Sequence, residues 1–421
     1  MAKRIALPSA RRTALTALQT WRGKKRFADS IIGELLLQAE LEARERAFAL
    51  ELFYGVLRNA TLLDFWIRCL RQAPLDVDLR DLLRLGLYQL FFLKTPTHAA
   101  VHETVELAPK NRRALINGVL RTAARRQGEL RLQAKGQALA IRTSHPRFLI
   151  ARWEQNFGQQ AAEALCAWNN LPPPLYARIN RLKISPENFL RAYPESRPLS
   201  GNRDFVEPHA FPTEALARGH CYIQDPSTVI ASQLLDPQPG EQILDTCAAP
   251  GGKTNHIAEL MQNRGRIMAC DRAGDRVRIL EGNLARLGAA IARVSHFDWT
   301  CGRIPKDIAA IAPFDRVLID APCSNTGVMR RRVDVRWRIR AMDFVRMQDR
   351  QLKIVRSALA LLKPGGVLVY STCSLQPEEN EEVVQQVLRE FADLRQTDVQ
   401  SSLPFRDGFD GAFAVKFIRT G

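Results

Sequence analysis

Two cysteines stand at matching points in the chain. Cys323 lies in DAPCSNTG (320–327) and Cys373 in STCSLQPEEN (371–380), each just past an apolar run that reads as a strand. Either alone reads as a small buried hydrophobe. Two at one sheet edge point to nucleophilic thiol chemistry, in which a thiolate adds to an electrophile and later leaves. A free thiol ionises near pH about 8.5, so activating surroundings are expected. A helix starting at Pro377 would lend its positive N-terminal end. Three aspartates also end successive apolar runs: Asp271 in MACDR, Asp298 in SHFDW and Asp320 in LIDAPC. One such Asp reads as a helix cap or a turn. Three in series ask for a ligand with several polar edges.

The stretch DTCAAPGGKT (245–254) ends like a phosphate-binding loop. A true P-loop needs Gly, four residues, then Gly-Lys-Ser/Thr. The required first glycine falls on Cys247, and Pro250 removes a backbone donor from the nest. The dinucleotide fingerprint GxGxxG is absent as well. The alternative is a nucleoside cofactor across the tip of the first strand. Gly251 and Gly252 permit close backbone approach, and a helix from about Thr254 offers its N-terminus to a carboxylate. Asp271 is placed for ribose hydroxyls and Asp298 for an adenine amino group. With Asp320, the set describes the S-adenosylmethionine site of a Rossmann-like methyltransferase. Thiols suit one acceptor in particular, because C5 of cytosine is too electron-poor to take a methyl directly. A thiolate adding at C6 makes C5 enamine-like; Asp320 at N3 or N4 of the base would promote that addition. Residue chemistry leaves open which cysteine attacks.

These groups need a sheet to hold them. Apolar runs at 241–248, 266–272, 292–298, 314–322 and 365–373 alternate with amphipathic segments at 275–288, 342–362 and 377–391. That alternation predicts an α/β Rossmann-like domain over 216–421, with ligands at the carboxyl ends of parallel strands. Residues 409–419 are expected to add a closing antiparallel strand. Residues 140–215 read as a small α+β (RRM-like) module: two helices, a triple proline, then YARINRL alternating like a strand. Arg178 and Asn180 there could face RNA or solvent. Residues 1–130 read as an all-α domain, and GELRLQAKGQALAIRTSHP after Gln127 as a polar connector.

The charge is uneven. Residues 1–150 carry 26 Lys and Arg against 13 Asp and Glu; the rest carry 35 against 31. Such a footprint suits a polyanion, most simply nucleic acid. The loop MRRRVDVRWRIR (329–340), with six arginines and one Trp, is expected to touch RNA phosphates and an unstacked base. The eight cysteines form no CxxC pair, so neither a disulfide framework nor a metal site is expected. No apolar run approaches the ~20 residues of a membrane span, and a cytoplasmic protein, monomeric by default, is expected.

Two resemblances sharpen this. FYGVLRNATLLD (53–64), LLRLGLYQLFFL (82–93), AVHETVELA (100–108) and INGVLR (116–121) resemble the NusB family, which implies RNA binding by the basic helical surface. CAAPGGKT (247–254), DAPCSNTGVMRRRVDVRW (320–337), LLKPGGVLVYSTCS (361–374) and the PEEN that follows resemble the RNA cytosine-C5 methyltransferases of the NOL/NOP2/Sun family. That resemblance implies Cys373 as nucleophile, Cys323 as the aid to product release, and small-subunit rRNA as substrate. It also implies cofactor contacts on Cys247, Ala248, Ala249, Pro250, Gly251, Gly252, Lys253, Asp271, Asp298 and Asp320, with Arg276 counted among them. IQDPST (223–228) departs from the family pattern by a proline before Ser227. A transfer-RNA enzyme and a non-catalytic RNA-binding factor are the alternatives.

Overall fold

The computed structural model describes residues 9–23 and 26–421. The basic start of the chain, residues 1–8, and Lys24 and Lys25 lie outside the described residues. The chain forms two units, one of residues 1–172 with 329–338 and one of residues 173–328 with 339–421.

The second unit holds both sheets. Strands β1 (Ala177–Ile179), β2 (Ser196–Leu199), β3 (Asn202–Pro208) and β4 (Cys221–Ile223) pair antiparallel in the order β2-β3-β1-β4. Helices Pro186–Ala192 and Thr213–Ala217 complete a βαββαβ module. The large sheet contains β5 (Gln242–Asp245), β6 (Arg266–Asp271), β7 (Ala292–His296), β8 (Phe314–Asp320), β9 (Leu362–Thr372), β10 (Leu394–Ser402) and β11 (Ala412–Arg419). Their order is β10-β11-β9-β8-β5-β6-β7. β5 to β9 are parallel, whereas β11 runs antiparallel between β9 and β10. The central strands are apolar along their length because helices cover both faces. Ile243, Leu244, Ile267, Val317, Leu318, Ile319, Leu368 and Val369 are fully buried. The order reverses between β5 and β8, which opens a crevice at their carboxyl ends.

The closing strand is β11, as expected. β10 was not foreseen: LRQTDVQSS pairs only with β11 and is exposed along most of its length, so no apolar alternation marks it. The helix expected from Pro377 begins later. Pro377–Glu379 is a 3₁₀ turn, and the α-helix runs Glu381–Glu390.

In the first unit, the helix Val77–Phe92 is buried on nearly every side, with Leu82, Leu83, Leu85, Leu87 and Phe91 in the core. The expected connector is helical instead, over Gln127–Lys135 and Leu139–Arg142. One apolar contact per turn suffices to dock it: Leu130 is fully buried, and its carbonyl accepts from the Trp66 indole at 2.9 Å.

The arginine loop is the main correction. Met329–Arg338 belongs to the first unit, and much of it is core rather than RNA-facing surface. Arg336 is fully buried. Its guanidinium donates to the carbonyls of Asn169 (3.0 Å), Arg58 (3.3 Å) and Ser144 (3.4 Å) and to Asn170 Oδ1 (2.7 Å). Burial pulls its pKa down to about 9. Trp337 Nε1 donates to the Leu57 carbonyl at 2.8 Å, and Asp334 accepts from the Ala28 amide at 3.1 Å. Arg330 stacks 4.0 Å over Trp168. Basic residues interleaved with Trp here satisfy helix-end carbonyls that would otherwise be orphaned.

Candidate active site

Asp245 ends β5 and is completely buried. Thr254 Oγ1, in the helix Gly252–Leu260, donates to it at 2.7 Å. This bond pins the strand tip to the helix and folds residues 246–251 into the turn between them. Gly251 has φ +110°, a conformation that L side chains rarely adopt, and a Cβ on it would lie 3.1 Å from Leu280. A Cβ on Gly252 would lie 2.7 Å from the Tyr222 ring. Both glycines thus have a packing reason beside the ligand reason read from the sequence.

Asp271 at the end of β6 is nearly buried and grips the turn from outside. Its Oδ2 accepts from the Ala249 amide at 3.3 Å, while Arg276 donates to the Ala249 carbonyl at 2.5 Å. Arg276 and Asp271 also form an ion pair at 3.4 Å. Asp298, beyond β7, takes both the amide (2.9 Å) and the hydroxyl (2.7 Å) of Thr300 on Oδ1. Burial opposes its charge, but these bonds prevail and hold its pKa below the usual value. Burial pushes the Cys247 thiol up to about 12. Asp271, Asp298, Cys247 and the glycine turn all lie at the carboxyl ends of β5, β6 and β7.

Asp320 at the end of β8 faces a second group. Lys253 Nζ lies 2.8 Å from its Oδ2, and Ser371 Oγ donates to its Oδ1 at 3.0 Å. Burial works against the Lys253 charge, yet the Asp320 carboxylate outweighs it and raises the Lys253 pKa. Ser227, Thr228, Lys253, Asp320, Cys373 and Phe413 line one cleft. Phe413 on β11 pairs in register with Thr372 on β9, directly before Cys373. Lys253 was expected among cofactor contacts; the structure sets it on Asp320 in the cleft with Cys373. Pro226 is accommodated at the first position of a 3₁₀ turn, where the Asp225 carboxylate caps the Ser227 amide at 3.0 Å.

The two candidate thiols meet. Cys323 Sγ and Cys373 Sγ are 3.3 Å apart, and Cys373 Sγ donates to Asn325 Oδ1 at 3.3 Å. The hydrogen bond with Cys373, then burial, pushes the Cys323 thiol well above its ordinary range. Behind them, Ser324 and Ser374, each the residue after a cysteine, share a 3.1 Å hydrogen bond. Thr326 Oγ1 lies 3.2 Å from Ser374 Oγ and accepts from the Leu375 amide at 2.9 Å. Sequence reading missed this layer. The repeated Cys-Ser was its only signal.

Arg178 and Asn180 do not face RNA. Arg178 pairs with buried Glu259 and donates to the Gly252 carbonyl at 3.3 Å. Asn180 Nδ2 donates to the carbonyls of Gly219 and Leu287, each at 2.7 Å. Arg178 thus braces the glycine turn, and Asn180 the C-terminal end of the helix Gly274–Leu287, from the β1 side.

With this geometry, likeness to known proteins becomes specific. The family described as 16S rRNA methyltransferase RsmB/F matches residues 232–416. The NusB family matches residues 8–125, and an RsmF/B-like ferredoxin-like domain matches 145–196. The ribosomal RNA small subunit methyltransferase B of Serratia proteamaculans is 38% identical over 405 residues, covering 91% of this chain and 92% of that protein. The chain belongs to the ribosomal RNA small subunit methyltransferase B family. A probable member from Bacillus subtilis is 34% identical over 402 residues, covering 91% of this chain and 89% of that one. A solved methyltransferase homolog from Pyrococcus horikoshii is 29% identical with a TM-score of 0.58, covering 67% of this chain and 97% of its own. No described helix is long and apolar enough to cross a membrane.

Proposed function

We propose that the protein methylates C5 of one cytosine in 16S rRNA, of the type at position 967, using S-adenosylmethionine and a transient bond between Cys373 and C6. The observation that carries this reading is the pair of thiols 3.3 Å apart beside the Lys253–Asp320 pair. Cofactor fit rests on the donor set at the strand ends. Asp271 and Asp298 present carboxylates on neighbouring strands, and the helix N-terminus at Gly252 opens on the same turn. S-adenosylmethionine, when bound, supplies an electrophilic methyl for C5. Cys247 through Lys253, Asp271, Arg276, Asp298 and Asp320 are the residues that would hold it.

The chain's own groups do the rest. Lys253 pairs with Asp320 and Ser371 fixes its angle, so the carboxylate can accept from N4 or a protonated N3 of the base. Cys373 gives up its thiol proton to water and adds to C6, and its S–C6 bond turns C5 into the nucleophile. In release, Cys323 passes its thiol proton to the departing Cys373 sulfur and takes the C5 proton in exchange. The C5–H electron pair re-forms the C5–C6 double bond as the C6–S bond breaks. Cys323, kept protonated by its neighbour, suits that exchange. The target must leave its stack to reach the cleft, which favours a loop or bulge. The reading carries with it the division at 1–130, 140–215 and 216–421, a cytoplasmic location and a monomer.

The test is methylation of unmodified small-subunit rRNA by purified protein, mapped by bisulfite sequencing. One methylated cytosine, lost in Cys373→Ala, is the expected result. Methylation of transfer RNA alone would redirect the substrate, and cofactor binding with no methylation of any RNA would sink the reading.

A further inference from the structure

The two cysteine loops are joined by a buried carboxylate to which neither chemistry nor family likeness has given a task. Glu379, in the PEEN turn, is fully buried. Its Oε1 and Oε2 accept from the Ser324 amide at 2.9 and 3.2 Å, and Oε2 also accepts from the Ser324 hydroxyl at 2.7 Å. Three bonds therefore converge on the one residue that follows Cys323. The Glu379 backbone is fixed in turn, since its carbonyl accepts from the Tyr370 hydroxyl at 2.6 Å on β9. Next to it, Asn380 holds the other loop: Nδ2 donates to the Ser374 carbonyl at 2.9 Å and Oδ1 accepts from Thr372 Oγ1 at 2.6 Å. Adjacent residues of one turn thus clamp the chain beside Cys323 and the chain on both sides of Cys373. The Ser324–Ser374 bond ties the clamped ends together.

A buried carboxylate is costly to desolvate and is kept where its bonds decide a geometry. A hydroxyl or amide would serve for simple packing. The strongest acceptor in the cluster is spent on a backbone amide in the loop of the release cysteine. We infer that Glu379 is a positioning residue for Cys323, holding its thiol within reach of the Cys373 sulfur so that the methylated product can leave. Without the Glu379 bonds, the Ser324 amide has no anchor and the Cys323 loop can shift. Displacements of about 1 Å in such constellations cost about a hundredfold in rate. Glu379 also bonds the Ser374 side chain, but the chain on both sides of Cys373 keeps its anchors on Asn380 and β9, so attack suffers less than release.

This inference rests on the covalent reading above, and the test separates the two. Full-length protein is mixed with S-adenosylmethionine and unmodified small-subunit rRNA. Rapid quenching counts 5-methylcytosine formed in the first turnover, and a denaturing gel counts protein–RNA adduct that survives. Cys323→Ala is the reference. If it traps no adduct, the covalent reading itself fails. Given trapping there, Glu379→Ala is expected to accumulate adduct, with release slowed at least about tenfold more than first-turnover transfer. Glu379→Gln, which keeps one acceptor for the Ser324 amide, restores release in part, as a merely structural role would not. Ser324→Ala, which loses the hydroxyl's bonds to Glu379, Ser374 and Thr326 but keeps the amide's bonds to Glu379, gives a smaller adduct signal. Equal loss of transfer and release in Glu379→Ala, or no excess adduct, overturns the inference. Should Glu379→Ala not fold, normal release in both Glu379→Gln and Ser324→Ala overturns it equally.

Discussion

Gly327 and Gly411 meet backbone to backbone. The Gly411 amide donates to the Gly327 carbonyl at 2.8 Å, and the Gly327 amide donates to the Cys373 carbonyl at 2.9 Å. A Cβ on Gly411 would lie 2.7 Å from the Gly327 Cα, and one on Gly327 would lie 2.7 Å from the Cys373 carbonyl oxygen. Three chain segments, from the Cys323 loop, the Cys373 loop and the approach to β11, are therefore stacked with no room for a methyl group.

Gly411→Ala is expected to push these segments apart. The nearest atom is the Gly327 Cα, which cannot swing aside as the Leu375 side-chain tip at 2.9 Å can. Methyl transfer should fall by about a hundredfold, the usual cost of displacing a reacting group by about 1 Å. Cofactor binding, governed at β5 to β7, should stay within about threefold of wild type. Calorimetric titration of S-adenosylmethionine beside single-turnover kinetics would check both; transfer at the wild-type rate would refute the stacking argument.

Arg178 and Glu259 form an almost fully buried ion pair, 1% and 3% exposed at the side chain. Arg178→Met leaves the Glu259 carboxylate buried and unpaired, which should cost about 3–5 kcal/mol of stability. Adding Glu259→Leu should recover most of that loss, since a well-packed apolar pair avoids desolvation altogether. Urea denaturation of the single and double variants reads both numbers. Independent, additive losses would mean that the two residues do not act as a pair.

That pair also explains what could be read from the sequence and what could not. β5, β6, β8 and β9 are legible because parallel strands are apolar along their whole length, and the three strand-end aspartates follow from them. Asp320 falls where the sheet order makes a crevice, and Asp271 and Asp298 follow at the ends of β6 and beyond β7. β10 is polar on an exposed edge and carries no such pattern. Arg178 and Arg336 defeat composition for another reason. A buried arginine and an RNA-facing one look alike in sequence, because each needs acceptors and only the fold says whether these are carbonyls or phosphates. Glu379 is hidden similarly: a proline and three polar residues in PEEN read as a helix start, whereas two of the polar ones clamp the cysteine loops.

Arg336 leads to a prediction that separates those two kinds of arginine. A phosphate contact contributes to the salt dependence of RNA binding, about 0.7 to 0.9 in log–log slope per phosphate neutralised. Among the described residues Arg336 donates to the Asn170 side chain and three carbonyls, so Arg336→Met should leave the slope unchanged. It should instead destabilise the protein by about 2–4 kcal/mol, as the Asn169, Arg58 and Ser144 carbonyls lose a charged donor. Filter binding across a salt series and thermal denaturation test the two halves. A slope reduced by one phosphate would return the loop to the RNA surface.

Asp245 gives a pH signature with a definite sign. Burial is the main cause raising its pKa from 3.8 to about 7; the Thr254 bond opposes this and the nearby Asp320 charge adds to it. The folded protein therefore binds the Asp245 proton more tightly than the unfolded chain does. Stability contributed by this group is intact below about pH 4, falls as pH rises through the interval up to about 7, and is level above it. At about 1.4 kcal/mol per unit, the loss is at most about 4 kcal/mol. Asp245→Asn keeps an oxygen for Thr254 Oγ1 and removes the ionisation. Relative to the variant, wild type should lose stability between pH 4 and pH 7 and run parallel to it from pH 7 to 8. Urea midpoints at pH 4.5, 6, 7 and 8 would trace the difference. Parallel curves throughout would mean that Asp245 is already ionised in the folded state at the acid end, with its charge met by the turn rather than suppressed by burial.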